Sequence, residues 1–303
     1  NATQGWVPTI DEAVADVPSI TKGIFGFGNI TPVTAITNLV SAAGVVGTDV
    51  TGVGTARRNL AACEYGGDKG IFGFGNDGSG TAVTNLVSNA GVVATDVAGV
   101  GTGRWNFSAC SYGGDKGIFG FGTTGSYTAI TNLVSNAGVV ATDTAGVGTA
   151  RWAVAACEYG TDTAIFGFGE NASGSVGMTN LVSNAGVVAT DVTAVGTGRQ
   201  SPMACSYGGD KGLFGFGHDD SSVVSTTNLV SNAGVVGTDV TGVGTARYYG
   251  AATQYGTDTA IFGYGTTGSN VSMSNLVSNA GVVATDVTGV GTARQGLAAC
   301  SYG

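Results

Sequence analysis

Apolar and polar positions alternate along most of this chain, and they do so in a phrase that comes back. The ten residues TNLVSNAGVV run from Thr84 to Val93 and return unchanged at Thr131, Thr179 and Thr227, with near-copies at Thr37 and Ser274. A glycine-aromatic phrase keeps the same beat. It reads GIFGFG at Gly23, Gly70 and Gly117, AIFGFG at Ala164, GLFGFG at Gly212 and AIFGYG at Ala260, at spacings of 47, 47, 47, 48 and 48 residues. Fixed self-similarity in that range points to solenoids or propellers. Glycine at this density would cost a helix about 1 kcal/mol per residue, which excludes helical repeats.

One period, Thr55 to Gly101, predicts four short strands: NLAACEY, then GIFGFG after the turn GGDK, then AVTNLVS, then VVATDVAGV after the turn NAG. Apolar alternation and Val/Ile/Phe/Tyr enrichment between Gly, Asn and Asp clusters favour strands and hairpins. Four antiparallel strands in a repeat of this length fit a propeller blade. Side chains alternate across a strand, so Phe72 and Phe74 are expected on one face, with Ile71, Gly73 and Gly75 on the other. Eleven of the twelve Phe residues belong to these phrases, which reads as packing between blades and not as a cofactor box.

The two ends are complementary. Residues 293–303 supply a first strand and then stop, while residues 22–54 supply a second, third and fourth strand with no first strand before them. A ring explains this: the C-terminal strand completes the N-terminal blade and removes both open edges. The expected fold is therefore all-β, a six-bladed β-propeller of four-stranded antiparallel blades. Blade 1 is built from 22–54 plus 292–303, followed by blades at 55–101, 102–148, 149–196, 197–244 and 245–291. Residues 1–21 match no repeat and form a lead-in segment, in which TIDEAVADVP (Thr9 to Pro18) predicts one short helix that Pro18 stops.

Composition narrows the function. Only 10% of residues are charged and the net charge is −9 with 11 Lys and Arg, a poor match to the phosphate neutralisation that nucleic-acid binding needs. No run approaches the roughly 18 apolar residues of a membrane span. The chain opens on Asn1 with no basic, apolar-cored leader, which fits a fragment or a processed form. Cys63, Cys110, Cys157, Cys205 and Cys300 all occupy one slot of the repeat, and Thr253 fills the sixth. Disulfides need paired positions, so these read as small buried hydrophobes and leave the compartment open.

The order GTAR…AAC.YGGDKGIFGFG resembles a kelch-type blade, and more closely the kelch-like propeller domains of bacteriophage structural and tail-associated proteins. The resemblance covers residues 22–303. Here Gly-Phe-Gly replaces the usual adjacent glycine pair, and the blade Trp is absent. What the resemblance implies is a virion-borne, extracellular module with other virion proteins as partners; it supplies no catalytic residue.

The six copies can be compared with one another. They differ in two places: directly after the blade arginine, from Arg58-Asn59 to Gln295-Gly296, and in the loop after the second strand, from NITPV to TTGSNV. In a four-stranded meander both segments lie on one side of the disc. Binding residues concentrate on loops held by a rigid scaffold, and Trp, Tyr and Arg are favoured anchors. The candidate ligand-binding residues are Arg58, Trp105, Asn106, Trp152, Gln200, Tyr248, Tyr249 and Gln295. Neutral drift of tolerant loops would leave the same trace. One Arg (57, 104, 151, 199, 247, 294) and one Asp (49, 96, 143, 191, 239, 286) recur in every blade. They make either an anion site at the channel mouth or a structural clasp of the inter-blade connection, and sixfold repetition favours the clasp.

Chemistry is scarce. His218 is the only histidine, so no His-rich metal centre can be built. The triplet HDD from His218 to Asp220 reads as a solvated turn, and NDGSG at 76–80 lacks the ligand spacing of a calcium loop. No cofactor, metal or catalytic residue is expected. The expected function is non-catalytic binding of a host-surface glycan or protein through one loop face; the alternative is a structural virion spacer that binds nothing.

Overall fold

The computed structural model describes residues 21–193 and 195–303; the helix expected over Thr9–Pro18 lies outside them. Among the described residues every regular element is a β-strand. β1 (Lys22–Asn29) pairs antiparallel with β2 (Val33–Val40). The second repeat gives β3 (Ala61–Tyr65), β4 (Lys69–Asn76) and β5 (Gly80–Val87), and the third gives β6 (Ser108–Tyr112), β7 (Lys116–Gly120) and β8 (Thr131–Val134). In the fourth, β9 (Ala155–Tyr159) and β10 (Thr163–Gly167) precede a small hairpin of β11 (Glu170–Asn171) and β12 (Gly174–Ser175), then β13 (Thr179–Val182). β14 (Met203–Tyr207), β15 (Lys211–His218) and β16 (Val223–Val230) follow, then β17 (Ala251–Tyr255), β18 (Thr259–Thr266) and β19 (Asn270–Val277). The last strand, β20 (Ala298–Tyr302), returns to β1, with Cys300 opposite Ile24 and Ala299 opposite Phe25. The larger sheets are six, each three-stranded, and none closes on itself.

The expected fourth strand is therefore not a strand. In the second repeat the outer segment touches β5 at two isolated bridges, Val87 with Val93 and Thr84 with Val97. It has one more residue between those bridges than β5 has, so a regular ladder cannot form. Asn85 fills the gap, its amide donating to the Ala94 carbonyl at 3.0 Å and to Asp96 Oδ1 at 2.9 Å.

The expected grouping of Phe72 with Phe74 is also corrected. Phe74 has φ +56°, and the register to β5 shifts between Gly73 and Gly75. This bulge reverses the side-chain parity. Phe72 packs edge-on against Phe27 of the preceding repeat, while Phe74 packs against Phe119 of the following one. The alternation holds up to Gly73: a β-carbon there would meet Phe119 Cζ at 2.6 Å. Each sheet thus lays one ring on the backbone of the sheet before it.

The recurring arginine explains the unusual Phe74 backbone. Arg57 is fully buried. Its Nε donates to the Phe74 carbonyl at 2.7 Å, and its guanidinium lies 4.3 Å from the centre of the Phe27 ring. Arg104 of the next repeat stacks on Phe74 in turn, at 4.5 Å. Arg57 also donates to Asn85 Oδ1 at 2.7 Å, and Asp96 accepts from the Thr55 amide and hydroxyl. Thr55 belongs to the incoming connection, so Asp96 clasps it. Burial lowers the Arg57 pKa to about 10, and the group is still a cation at neutral pH. None of the six arginines opens to solvent, so the clasp reading holds and the anion-site reading does not.

Backbone hydrogen bonds link the sheets in a cycle. Gly28, Gly75, Gly122, Gly169, Gly217 and Gly265 donate to the carbonyls of Arg57, Arg104, Arg151, Arg199, Arg247 and Arg294. On the opposite side Gly66 donates to the Asp115 carbonyl, and the same step recurs until Gly256 meets Thr21 and Gly303 meets Asp68. The first strands touch in the same order, β20 lying between β17 and β3. They surround a narrow channel lined by the AAC segments, with a cavity of about 110 Å³.

Candidate functional site

The two variable segments meet on one side of the molecule. Arg58 is bridged to Asn76, Trp105 to Thr123, Trp152 to Glu170, Gln200 to His218, Tyr248 to Thr266 and Gln295 to Asn29. In each pair the residue after the blade arginine exchanges backbone hydrogen bonds with the first residue beyond the glycine-aromatic phrase, as Trp152 and Glu170 do at 3.0 and 2.9 Å. The larger side chains lean back onto the preceding repeat. A β-carbon on Gly80 would touch the Trp105 ring at 3.0 Å, the Trp152 ring lies 6.2 Å from Tyr127, and the Tyr248 ring lies 5.6 Å from His218. Arg58 is exposed; the other five are half-buried.

One residue further on, a second ring surrounds the channel mouth. Asn59, Asn106, Ala153, Ser201, Tyr249 and Gly296 all have φ between 49° and 61°. Left-handed backbone at five residues other than glycine is uncommon, and here it turns the peptide groups sideways. Asn59 donates to Gly296, Asn106 to Asn59, Ala153 to Asn106, Ser201 to Ala153 and Gly296 to Tyr249, at 2.6 to 2.9 Å. Five of the six possible links of this collar are therefore hydrogen bonds. The peptide groups so joined are occupied with one another, so the repeats differ around this ring only in their side chains.

Thus the eight expected binding residues divide. Asn106 and Tyr249 belong to the collar; Arg58, Trp105, Trp152, Gln200, Tyr248 and Gln295 form the ring outside it. Asn59 and Ser201 are collar residues that the sequence reading passed over in favour of their larger neighbours. The collar caps a pocket of about 70 Å³ whose floor is a ring of Leu60, Phe107, Val154, Pro202 and Leu297, shared with the 110 Å³ cavity below it. Burial raises the Tyr249 phenol above its ordinary range. Two buried polar atoms on this side, Ser201 Oγ beside the Tyr249 phenol and Trp152 Nε1, make no close hydrogen bond among the described residues. Such atoms are uncommon in folded proteins and call for a water or a ligand.

The HDD turn is tied down locally. Asp220 accepts from the amide and hydroxyl of Ser175 in the neighbouring repeat, at 2.9 and 2.6 Å, and Asp219 accepts from the amides of Ser221 and Ser222. At the far end of the channel, Glu64 and Glu158 share a cavity of about 70 Å³ with Ser206 and Ser301. No protein-family model matches the chain, and no curated protein matches it.

Proposed function

We propose that the chain is a non-catalytic binding module, a closed six-bladed β-propeller whose variable face recognises a host-surface glycan, carried on a virion among other virion proteins. The cyclic hydrogen bonds between sheets and the pairing of β20 with β1 support the closed ring. One observation carries the function. The repeats keep the arginine, asparagine, aspartate and aromatic machinery, and they diverge at two successive positions whose residues form two rings on one face. Loops on a rigid scaffold are where recognition is placed.

The chemistry of the face favours sugar over protein. It offers flat rings at Trp105, Trp152 and Tyr248 beside the amides of Asn106, Gln200 and Gln295, and Arg58 is the only exposed cation among the eight residues. Aromatic faces suit stacking against the apolar side of a sugar ring, and amides suit its hydroxyls. The test is a glycan array with the full chain, run beside binding to intact and deglycosylated cells. Signals on defined glycans, lost on deglycosylation, are the expected result. Binding that survives deglycosylation would assign a protein ligand instead. No binding to either would leave the structural spacer.

A further inference from the structure

The pocket under the collar points to one kind of chemical group. Its floor is an apolar ring that also lines the channel cavity below, with Leu60, Phe107, Val154 and Leu297 each at most 5% exposed. Its polar lining residues, Asn59, Asn106, Ser201 and Tyr249, are all neutral. Among the described residues no charged side chain lines it, Arg58 and Glu170 acting on Tyr249 only from the outer ring, so a carboxylate or an ammonium would enter without an adjacent counter-charge, which is costly. Ser201 is 6% exposed, and its Oγ lies beside the Tyr249 phenol without making a close hydrogen bond among the described residues. The collar backbone is occupied in five of its six links, which leaves the side chains to do the selecting.

Size narrows the choice. The space inside the collar is small, about 70 Å³, and narrows into the 110 Å³ cavity below, which suits a substituent of a few heavy atoms reaching in from a ring held outside. The fitting group has a methyl tip for the floor and an uncharged neck that both donates and accepts hydrogen bonds. We propose that the pocket is a specificity subsite for the acetamido group of an N-acetylated sugar, with the sugar ring remaining outside among the half-buried aromatic rings. This rests on the reading of the face as a glycan-binding surface.

The experiment compares matched glycans that differ only in carrying acetamido, free amine or hydroxyl at one carbon, displayed multivalently on one array. It is run with the full chain and with Ser201→Ala and Asn106→Ala. Alanine already stands at the equivalent left-handed position, Ala153, at φ 53°, so these variants fit the collar. Retained thermal midpoints confirm that they fold. The acetamido glycan is expected to bind at least tenfold more strongly than its partners, and each variant to lose about tenfold, the scale of one hydrogen bond. Saturation transfer from protein to ligand should be strongest at the acetyl methyl. Equal binding of all three forms, or variants that keep the preference, would overturn the subsite and show a pocket holding water only, while glycan recognition by the face would stand. Absence of binding to every glycan would overturn both.

Discussion

A β-carbon on Gly263 would stand 2.7 Å from Cζ of Phe25, although the two residues lie near opposite ends of the chain. The relationship is the one between neighbouring repeats, where a β-carbon on Gly26 would stand 2.7 Å from Phe72 and one on Gly73 2.6 Å from Phe119. Glycine is required because the ring of one sheet rests on the backbone of the sheet before it. Gly263→Ala should therefore destabilise the fold by about 1–3 kcal/mol, the scale of overpacking. Gly47→Ala is the control. Its nearest neighbour would be the Leu39 carbonyl at 3.4 Å, and Ala94 and Ala141 hold the same slot in later repeats. Denaturant titration should find it neutral or slightly stabilised. Equal effects for the two variants would show that the Phe25 ring does not rest on Gly263.

Deleting residues 293–303 tests the cyclic arrangement from the other side. The truncation strips β1 of the five pairings from Lys22–Tyr302 to Gly26–Ala298. It also removes Arg294, whose guanidinium lies 4.3 Å from the Tyr264 ring centre and whose NH2 donates to Asn38. Two edges and an aromatic layer would open. A clearly lower melting temperature is the expected outcome, and an unchanged one would argue against closure.

Much of this was legible in the sequence, for reasons that can be named. Exact repetition located the strand phrases, and the mismatch of the two ends foretold the pairing of Ile24 with Cys300. The flip of Phe74 was not legible, because left-handed backbone at phenylalanine is imposed by its neighbours: the Arg57 side chain takes its carbonyl and Arg104 takes its ring. The collar was half legible. Asn59, Asn106 and Gly296 are residue types that tolerate positive φ, but Ala153, Ser201 and Tyr249 are not, so side-chain size drew attention one residue too early. The outer segment failed as a strand because one surplus residue, invisible to an alternation count, breaks its ladder.

The channel carboxyls make stability depend on pH. Burial, reinforced by Glu64, raises the Glu158 pKa to about 8. Burial also raises Glu64, opposed by the Ser301 hydroxyl that donates to it at 2.5 Å. The folded state thus holds a proton on Glu158 that the unfolded chain releases near the ordinary value of about 4.3. The stabilisation is complete below that value and is lost as pH rises toward about 8. Glu158 is partly exposed, which holds the loss to a few kcal/mol at most, on the order of the linkage for such a shift. Melting temperature should fall from pH 5 to pH 9, and Glu158→Gln should flatten the fall. A flat profile in the unsubstituted chain would mean that channel water solvates the carboxylate fully.

The five cysteines should be silent in the folded protein. All are free and buried. Cys157 sits against Gly212, and burial raises its thiol pKa to about 12. Thiolate is the reactive form, so a disulfide exchange reagent should titrate close to zero thiols under native conditions and five after unfolding. Rapid native labelling would place the AAC strands in open solvent.

The most direct test of the whole account asks which face binds. Trp105→Ala with Trp152→Ala changes the outer ring at slots that hold Gln200 and Gln295 in other repeats, so the fold should survive. Asn89→Ala changes the opposite turn, where Asn89 donates to Asp68 at 3.2 Å. Affinity for whichever glycan the array identifies should be measured for both by calorimetry. The expected result is a loss of about 1–3 kcal/mol for each stacking contact removed with the tryptophans, and no change for Asn89→Ala. Loss of binding in the Asn89 variant with full binding in the tryptophan variant would contradict it.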